Sequence, residues 1–176
     1  MSAPSRVAVA GLGVCAILGL VRCSGPGARQ RGCDKGEMLD CANLATLYEN
    51  GAGVPKDEAK AFALYQKACT GGIVWACGYE GAYYATGRTV PVDYARAVPL
   101  LTKGCDLNGD SGCYELAALY RDGHGVAVDL RRARELFARA CRAGAPHGRN
   151  VRASGHERGC DEERAVAARI GGGSAK

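Results

Sequence analysis

Gly51-Ala52-Gly53-Val54-Pro55-Lys56-Asp57 recurs as Gly87-Arg88-Thr89-Val90-Pro91-Val92-Asp93 and again as Gly123-His124-Gly125-Val126-Ala127-Val128-Asp129. The common pattern is Gly-x-x-Val-x-x-Asp at a step of 36 residues. Two cysteine series keep the same step: Cys33, Cys69, Cys105 and Cys141, and Cys41, Cys77 and Cys113. Three independent series with one period define an internal repeat, and a repeat of this length is one supersecondary unit stacked on its neighbours.

Each period reads as two helices. The first spans Leu39 to Asn50, with Leu44, Leu47 and Tyr48 on one apolar stripe. Gly51 ends it, since glycine takes the left-handed conformation at little cost. Asp57, Asp93 and Asp129 are expected to cap the second helix, their carboxylates accepting from exposed backbone N–H groups. Within that helix Ala61, Ala97 and Ala133 correspond, as do Leu64, Leu100 and Leu136, and Tyr65, Leu101 and Phe137. Pro99 breaks the pattern and is expected to kink the second helix of the middle repeat.

The spacing of eight in Cys33–Cys41, Cys69–Cys77 and Cys105–Cys113 constrains the chain further. Eight residues of continuous helix rise about 12 Å, whereas a disulfide requires alpha carbons within about 7 Å. The chain must therefore turn between the two cysteines if they pair. Thr70-Gly71-Gly72 and Asn108-Gly109-Asp110-Ser111-Gly112 suit such a turn. Each bridge then ties one hairpin's second helix to the next hairpin's first. Zinc sites favour closer cysteine pairs or a histidine pair, and redox sites favour Cys-x-x-Cys; neither pattern occurs. Cys141 has Arg149 at its periodic partner position, so Cys160 is its expected partner, in a degenerate cap.

The 176 residues are 47% hydrophobic and carry a formal charge of +5, enough for one packed domain without the basic bias of a nucleic-acid binder. Ten cysteines demand an oxidising compartment if they pair. The N-terminus agrees: after Arg6, Val7 to Val21 runs without a charge, the length of a signal-peptide core and short for a membrane span. Leu20-Val21-Arg22-Cys23 is similar to a bacterial lipobox and makes Cys23 a lipidation candidate, although Arg22 stands where that motif has a small residue. A cleaved soluble form and an uncleaved anchor are the alternatives. The expected organisation is a leader over 1–23 that contains Cys15, a loop-like linker over 24–32, the repeat array over 33–144, and a cap with a loose tail over 145–176. The expected location is the periplasm, the outer envelope as a lipoprotein, or the exterior, with any membrane contact made through the leader or a lipid.

These residues resemble the Sel-one-like repeat, a 36-residue relative of the tetratricopeptide repeat. Ala45, Gly81 and Ala117 hold the family's small position, and Tyr48, Tyr84 and Tyr120 its tyrosine. Lys60-Ala61 with Tyr65-Gln66-Lys67-Ala68 matches the second-helix pattern, followed with substitutions at Arg96-Ala97 and Arg132-Ala133. The cysteines eight apart resemble the Helicobacter cysteine-rich protein family in particular. Glu80 departs from the pattern, standing where Leu44 and Leu116 stand. The resemblance implies an all-α, right-handed solenoid of helical hairpins with a concave face, acting as a scaffold for protein assembly. It also implies an alternative, since some cysteine-rich members are described as penicillin-binding proteins or slow beta-lactamases.

The residues themselves offer no catalytic motif. No serine is followed three places later by lysine, and no Lys-Thr-Gly occurs. Tyr48-Glu49-Asn50 matches Tyr-x-Asn but repeats a helix-end position. His124, His147 and His156 are the three histidines, one in a turn and two in the cap region, without the clustering a zinc hydrolase needs. The expectation is a monomer without cofactor, metal or nucleic acid, binding a protein or peptide. Its candidate binding residues are Asn43, Tyr79 and Glu115, equivalent positions on the first helices, with Asn50, Thr86 and Asp122 seven residues on along the same face.

Overall fold

The computed structural model describes residues 25–108, 110–143 and 154–172. Among them are eight helices and no strand: α1 (Pro26–Asp34), α2 (Met38–Asn50), α3 (Glu58–Thr70), α4 (Val74–Thr86), α5 (Tyr94–Asn108), α6 (Asp110–Asp122), α7 (Leu130–Ala143) and α8 (Ser154–Gly172). Residues 1–23, the expected leader with Cys15 and Cys23, lie outside the described residues, as do Gly109, His147, residues 173–176 and the side chain of His156. Each helix packs on its neighbours in sequence, and α4 also meets α6, as α6 meets α8. This is the layout of an αα solenoid.

The repeated turn works as its residues demand. Gly51, Gly87 and Gly123 adopt φ of 67°, 68° and 75°, the left-handed region that stops α2, α4 and α6. The chain then returns, and the backbone N–H of Asp57, Asp93 and Asp129 donates to the carbonyl of Tyr48, Tyr84 and Tyr120 at 2.9, 3.0 and 2.9 Å. The same aspartates cap the next helix: their carboxylates accept from the N–H of Lys60, Arg96 and Arg132. The tyrosines serve twice. Lys60, Arg96 and Arg132 lie over the rings of Tyr48, Tyr84 and Tyr120 at 4.3, 5.5 and 5.2 Å, so a cation–π contact locks each hairpin.

The core follows the period. Ala61, Ala97 and Ala133 are fully buried, as are Tyr65, Leu101 and Phe137. All four expected disulfides are present: Cys33–Cys41, Cys69–Cys77, Cys105–Cys113 and Cys141–Cys160, with alpha carbons 4.6, 4.7, 4.5 and 4.8 Å apart. Pro99 lies inside α5, which continues through it.

Two expectations require correction. Within the segment read as a loop-like linker over 24–32, residues 26–32 belong to helix α1, because Pro26 suits a first helical position and Cys33 docks the helix on α2. Arg29 of α1 takes the register of Tyr65, Leu101 and Phe137 and pairs with Asp40. At the other end, Gly171 and Gly172, read as loose tail, are the last turn of α8. That helix resumes the register of α2, α4 and α6 after a longer connection: Cys160 takes the role of Cys113, and Val166 is 1% exposed where the register places Leu47, Tyr83 and Leu119.

In the middle of the array α4 and α5 approach backbone to backbone. A Cβ on Gly104 of α5 would lie 2.4 Å from the Cα of Gly78 in α4, a backbone contact that cannot yield. At the equivalent positions Ala68 and Ala140 are accommodated, fully buried. Gly104→Ala is therefore expected to destabilise the oxidised protein by about 1–3 kcal/mol, measured as a drop in the urea midpoint, despite matching the residue found in both flanking repeats.

Candidate binding face

Asn43, Tyr79 and Glu115 are half-buried, and Asn50, Thr86 and Asp122 are exposed at the C-terminal ends of α2, α4 and α6. Around Tyr79 the first helices carry an aromatic cluster. Tyr79 stacks on Tyr65 of α3 with ring centres 4.8 Å apart, and Trp75 meets both edge-on. Stacking of this kind fixes ring orientation.

Beside the cluster lies a polar hub that centres on Glu49. Its carboxylate accepts from the hydroxyl of Tyr65 at 2.8 Å, from that of Tyr83 at 3.5 Å and from Arg88 Nη1 at 3.0 Å. Arg88 also donates to Glu58 Oε1 at 2.8 Å, and its guanidinium lies 4.7 Å from the centre of the Tyr83 ring. Arg88 and Lys56 together bring the Glu58 carboxyl down to about 2. Burial and the nearby Glu49 charge push the phenols of Tyr65 and Tyr83 above their ordinary range, so both stay protonated and act as donors.

Further along, Glu115 is held above the usual carboxylate range by desolvation, against the opposing pull of Arg158 and Arg88. Arg158 lies 5.1 Å from the ring centre of Tyr114, and Arg121 bridges Asp122 and Glu162 of α8, each at 2.7 Å. Glu49, Arg88 and Arg158 escape a reading of sequence because no repeat shares them, and Glu162 because the longer connection before α8 hides its common register with Glu115. The one available signal is the charge reversal between Glu49 and Arg121, which occupy the same register. Among the described residues no group of three or more histidine, cysteine or acidic side chains is placed to hold a metal ion, and His124 stacks on Tyr94 at 4.9 Å.

Helical hairpins joined by a disulfide at each handover define a cysteine-stapled αα solenoid. The chain belongs to the Sel1 repeat family, whose model matches residues 40–73, 76–109 and 110–144. A Sel1 repeat protein from Oxalobacter formigenes is similar in structure, at 25% identity and a TM-score of 0.56, covering 76% of this chain and 95% of that one. A protective antigen of uropathogenic Escherichia coli shares the fold at 22% identity and a TM-score of 0.60; the match covers 82% of this chain and 33% of the antigen. Cysteine-rich protein B of Helicobacter pylori aligns at 28% identity and a TM-score of 0.49, over 68% of this chain and 86% of its own. No curated protein sequence matches the chain.

Glu80 is the one buried charged residue among those described, 7% exposed where the flanking repeats bury leucine. Burial raises its carboxyl above the ordinary value of 4.5, with Gln66 and Lys103 working in the other direction. The folded chain therefore holds this proton more tightly than the unfolded chain does. Stability falls as pH rises from the unfolded value through the folded one, and the penalty is complete above both. Glu80→Leu is expected to raise stability at pH 7 by on the order of 1 kcal/mol and to gain less at pH 4, as read from urea midpoints at the two pH values.

Proposed function

We propose that the protein is an exported interaction scaffold that binds a protein or peptide along the face of its first helices, on the concave side of the solenoid. The observation that carries this is the contrast between fixed and varied positions. The core residues repeat, while Asn43, Tyr79 and Glu115 share one half-buried register and differ in chemistry. A ladder of amide, phenol and carboxylate beside fixed aromatic rings offers a sequence-selective surface for an extended chain. Solenoids commonly use their long concave surface in this way. The alternative of beta-lactam hydrolysis has neither Ser-x-x-Lys nor Lys-Thr-Gly in the sequence to support it, and we do not propose it.

Export rests on the sulfur chemistry. Four disulfides persist only where thiols are not kept reduced, which points to the periplasm or the exterior. In this reading residues 1–23 direct export, Cys23 is the site of lipid attachment where the protein remains anchored, and the array acts as a monomer.

Peptides selected from a displayed random library on the oxidised protein test the binding face. Changing Asn43, Tyr79 and Glu115 together to alanine is expected to weaken selected peptides at least tenfold, about 1.4 kcal/mol. Changing the exposed second-helix residues Ala59 and Ala95 to glutamine is expected to leave affinity unchanged. Equal affinity in both variants, with helical circular dichroism intact, would reject the proposed face.

A further inference from the structure

The four disulfides are not equivalent. The six cysteines of the three short bridges are at most 5% exposed, whereas Cys141 and Cys160 are half-buried. Cys141 also lines a groove of about 740 Å³ between α7 and α8. Three exposed arginines, Arg131, Arg134 and Arg142, share that groove. Two carboxylates lie there as well: Glu163 is engaged by Arg134 at 2.6 Å, and Glu135 leaves the arginines in excess.

From this geometry we infer that Cys141–Cys160 is a thiol-exchange site and that the groove takes a small acidic thiol. The thiolate of such a molecule attacks Cys141 Sγ. The Cys141–Cys160 bond breaks, a mixed disulfide forms on Cys141, and Cys160 leaves as a thiolate that takes a proton from water. Guanidinium groups nearby favour both the incoming anion and the thiolate released. A second molecule of the same thiol attacks the sulfur of the first, frees Cys141 and departs as the oxidised small-molecule disulfide. Two small thiols are thereby oxidised and one protein disulfide is reduced. The reverse sequence recloses the bridge. Reduction unties α8 from α7 and leaves it held by Val166 and by the pairs Arg121–Glu162 and Arg134–Glu163. The short bridges are sealed in the core and stay closed.

The test uses the full oxidised protein with 2-mercaptoethanesulfonate as the acidic probe and cysteamine as the basic one, compared at equal thiolate concentration. Alkylation with iodoacetamide and peptide mapping follow each bridge over time. Cys141 and Cys160 are expected to be alkylated at least tenfold faster than the other six cysteines. The sulfonate is expected to react at least threefold faster than cysteamine, with its adduct on Cys141. Arg131→Gln with Arg142→Gln, both at exposed positions, is expected to erase the preference for the sulfonate while leaving the order of the bridges unchanged. Parallel alkylation of all four bridges, an adduct on Cys160, or cysteamine reacting as fast as the sulfonate would overturn the proposal. None of these readouts involves the face of the first helices, so the exchange site and the proposed scaffold stand or fall separately.

Discussion

A solenoid is held together only by contacts between consecutive units, so its weakest points are the handovers from one hairpin to the next. In this chain every handover is a covalent bond. The bridges Cys33–Cys41, Cys69–Cys77 and Cys105–Cys113 each close a segment of eight residues, and by chain entropy alone each is worth about 2–3 kcal/mol. The alpha carbons they join lie 4.5 to 4.7 Å apart, which forces a turn with no spare length and sets the approach of second helix to first. Stacking is thus imposed at the junction, and the side chains beyond it need only fill the space that the junction creates.

That constraint explains how the middle repeat departs so far from its neighbours. It carries Pro99 inside α5, Glu80 at a buried leucine position, and glycine at 78, 81 and 104. Each change removes apolar packing or a hydrogen bond. The glycines convert part of that loss into close backbone approach between α4 and α5, and a dense set of rings, Phe62, Tyr65, Trp75, Tyr79 and Tyr83, fills the adjacent space. With Cys69–Cys77 on one side and Cys105–Cys113 on the other, the repeat is pinned at both ends while its interior varies.

What repeats in the chain was legible before any coordinates, and what does not repeat was not. The helix stops at Gly51, Gly87 and Gly123, the caps at Asp57, Asp93 and Asp129, and the bridges all follow from residue type and period, because the physics acts within one hairpin or across one junction. Helix α1 was obscured because Ser24-Gly25-Pro26-Gly27 has the composition of a turn, and only docking through Cys33 makes it a helix worth forming. Helix α8 was obscured differently: Cys141 and Cys160 are 19 residues apart where the other pairs are 8 apart, so the register survives but the period that reveals it is broken. The candidate face was half legible. Asn43, Tyr79 and Glu115 could be aligned by number, but the ion pairs around them join residues 39 and 41 apart whose partners have no periodic counterpart.

Those unshared ion pairs give the array a direction. Glu49 in α2 and Arg121 in α6 occupy one register with opposite charge, and Ala85 between them is neutral. Glu49 is met by Arg88, which lies just beyond α4, and Arg121 by Glu162 of α8. Exchanging the first and third hairpins would place Glu49 against Glu162 and Arg121 against Arg88, two like-charge contacts on a partly desolvated face. A sequence built from near-identical repeats risks pairing in the wrong order, because every core interface resembles every other. Here the polar residues on the first helices distinguish one order of hairpins from another. Variation on that face therefore answers to the order of the repeats as well as to any partner, with Glu49 and Arg121 engaged by ion pairs within the array.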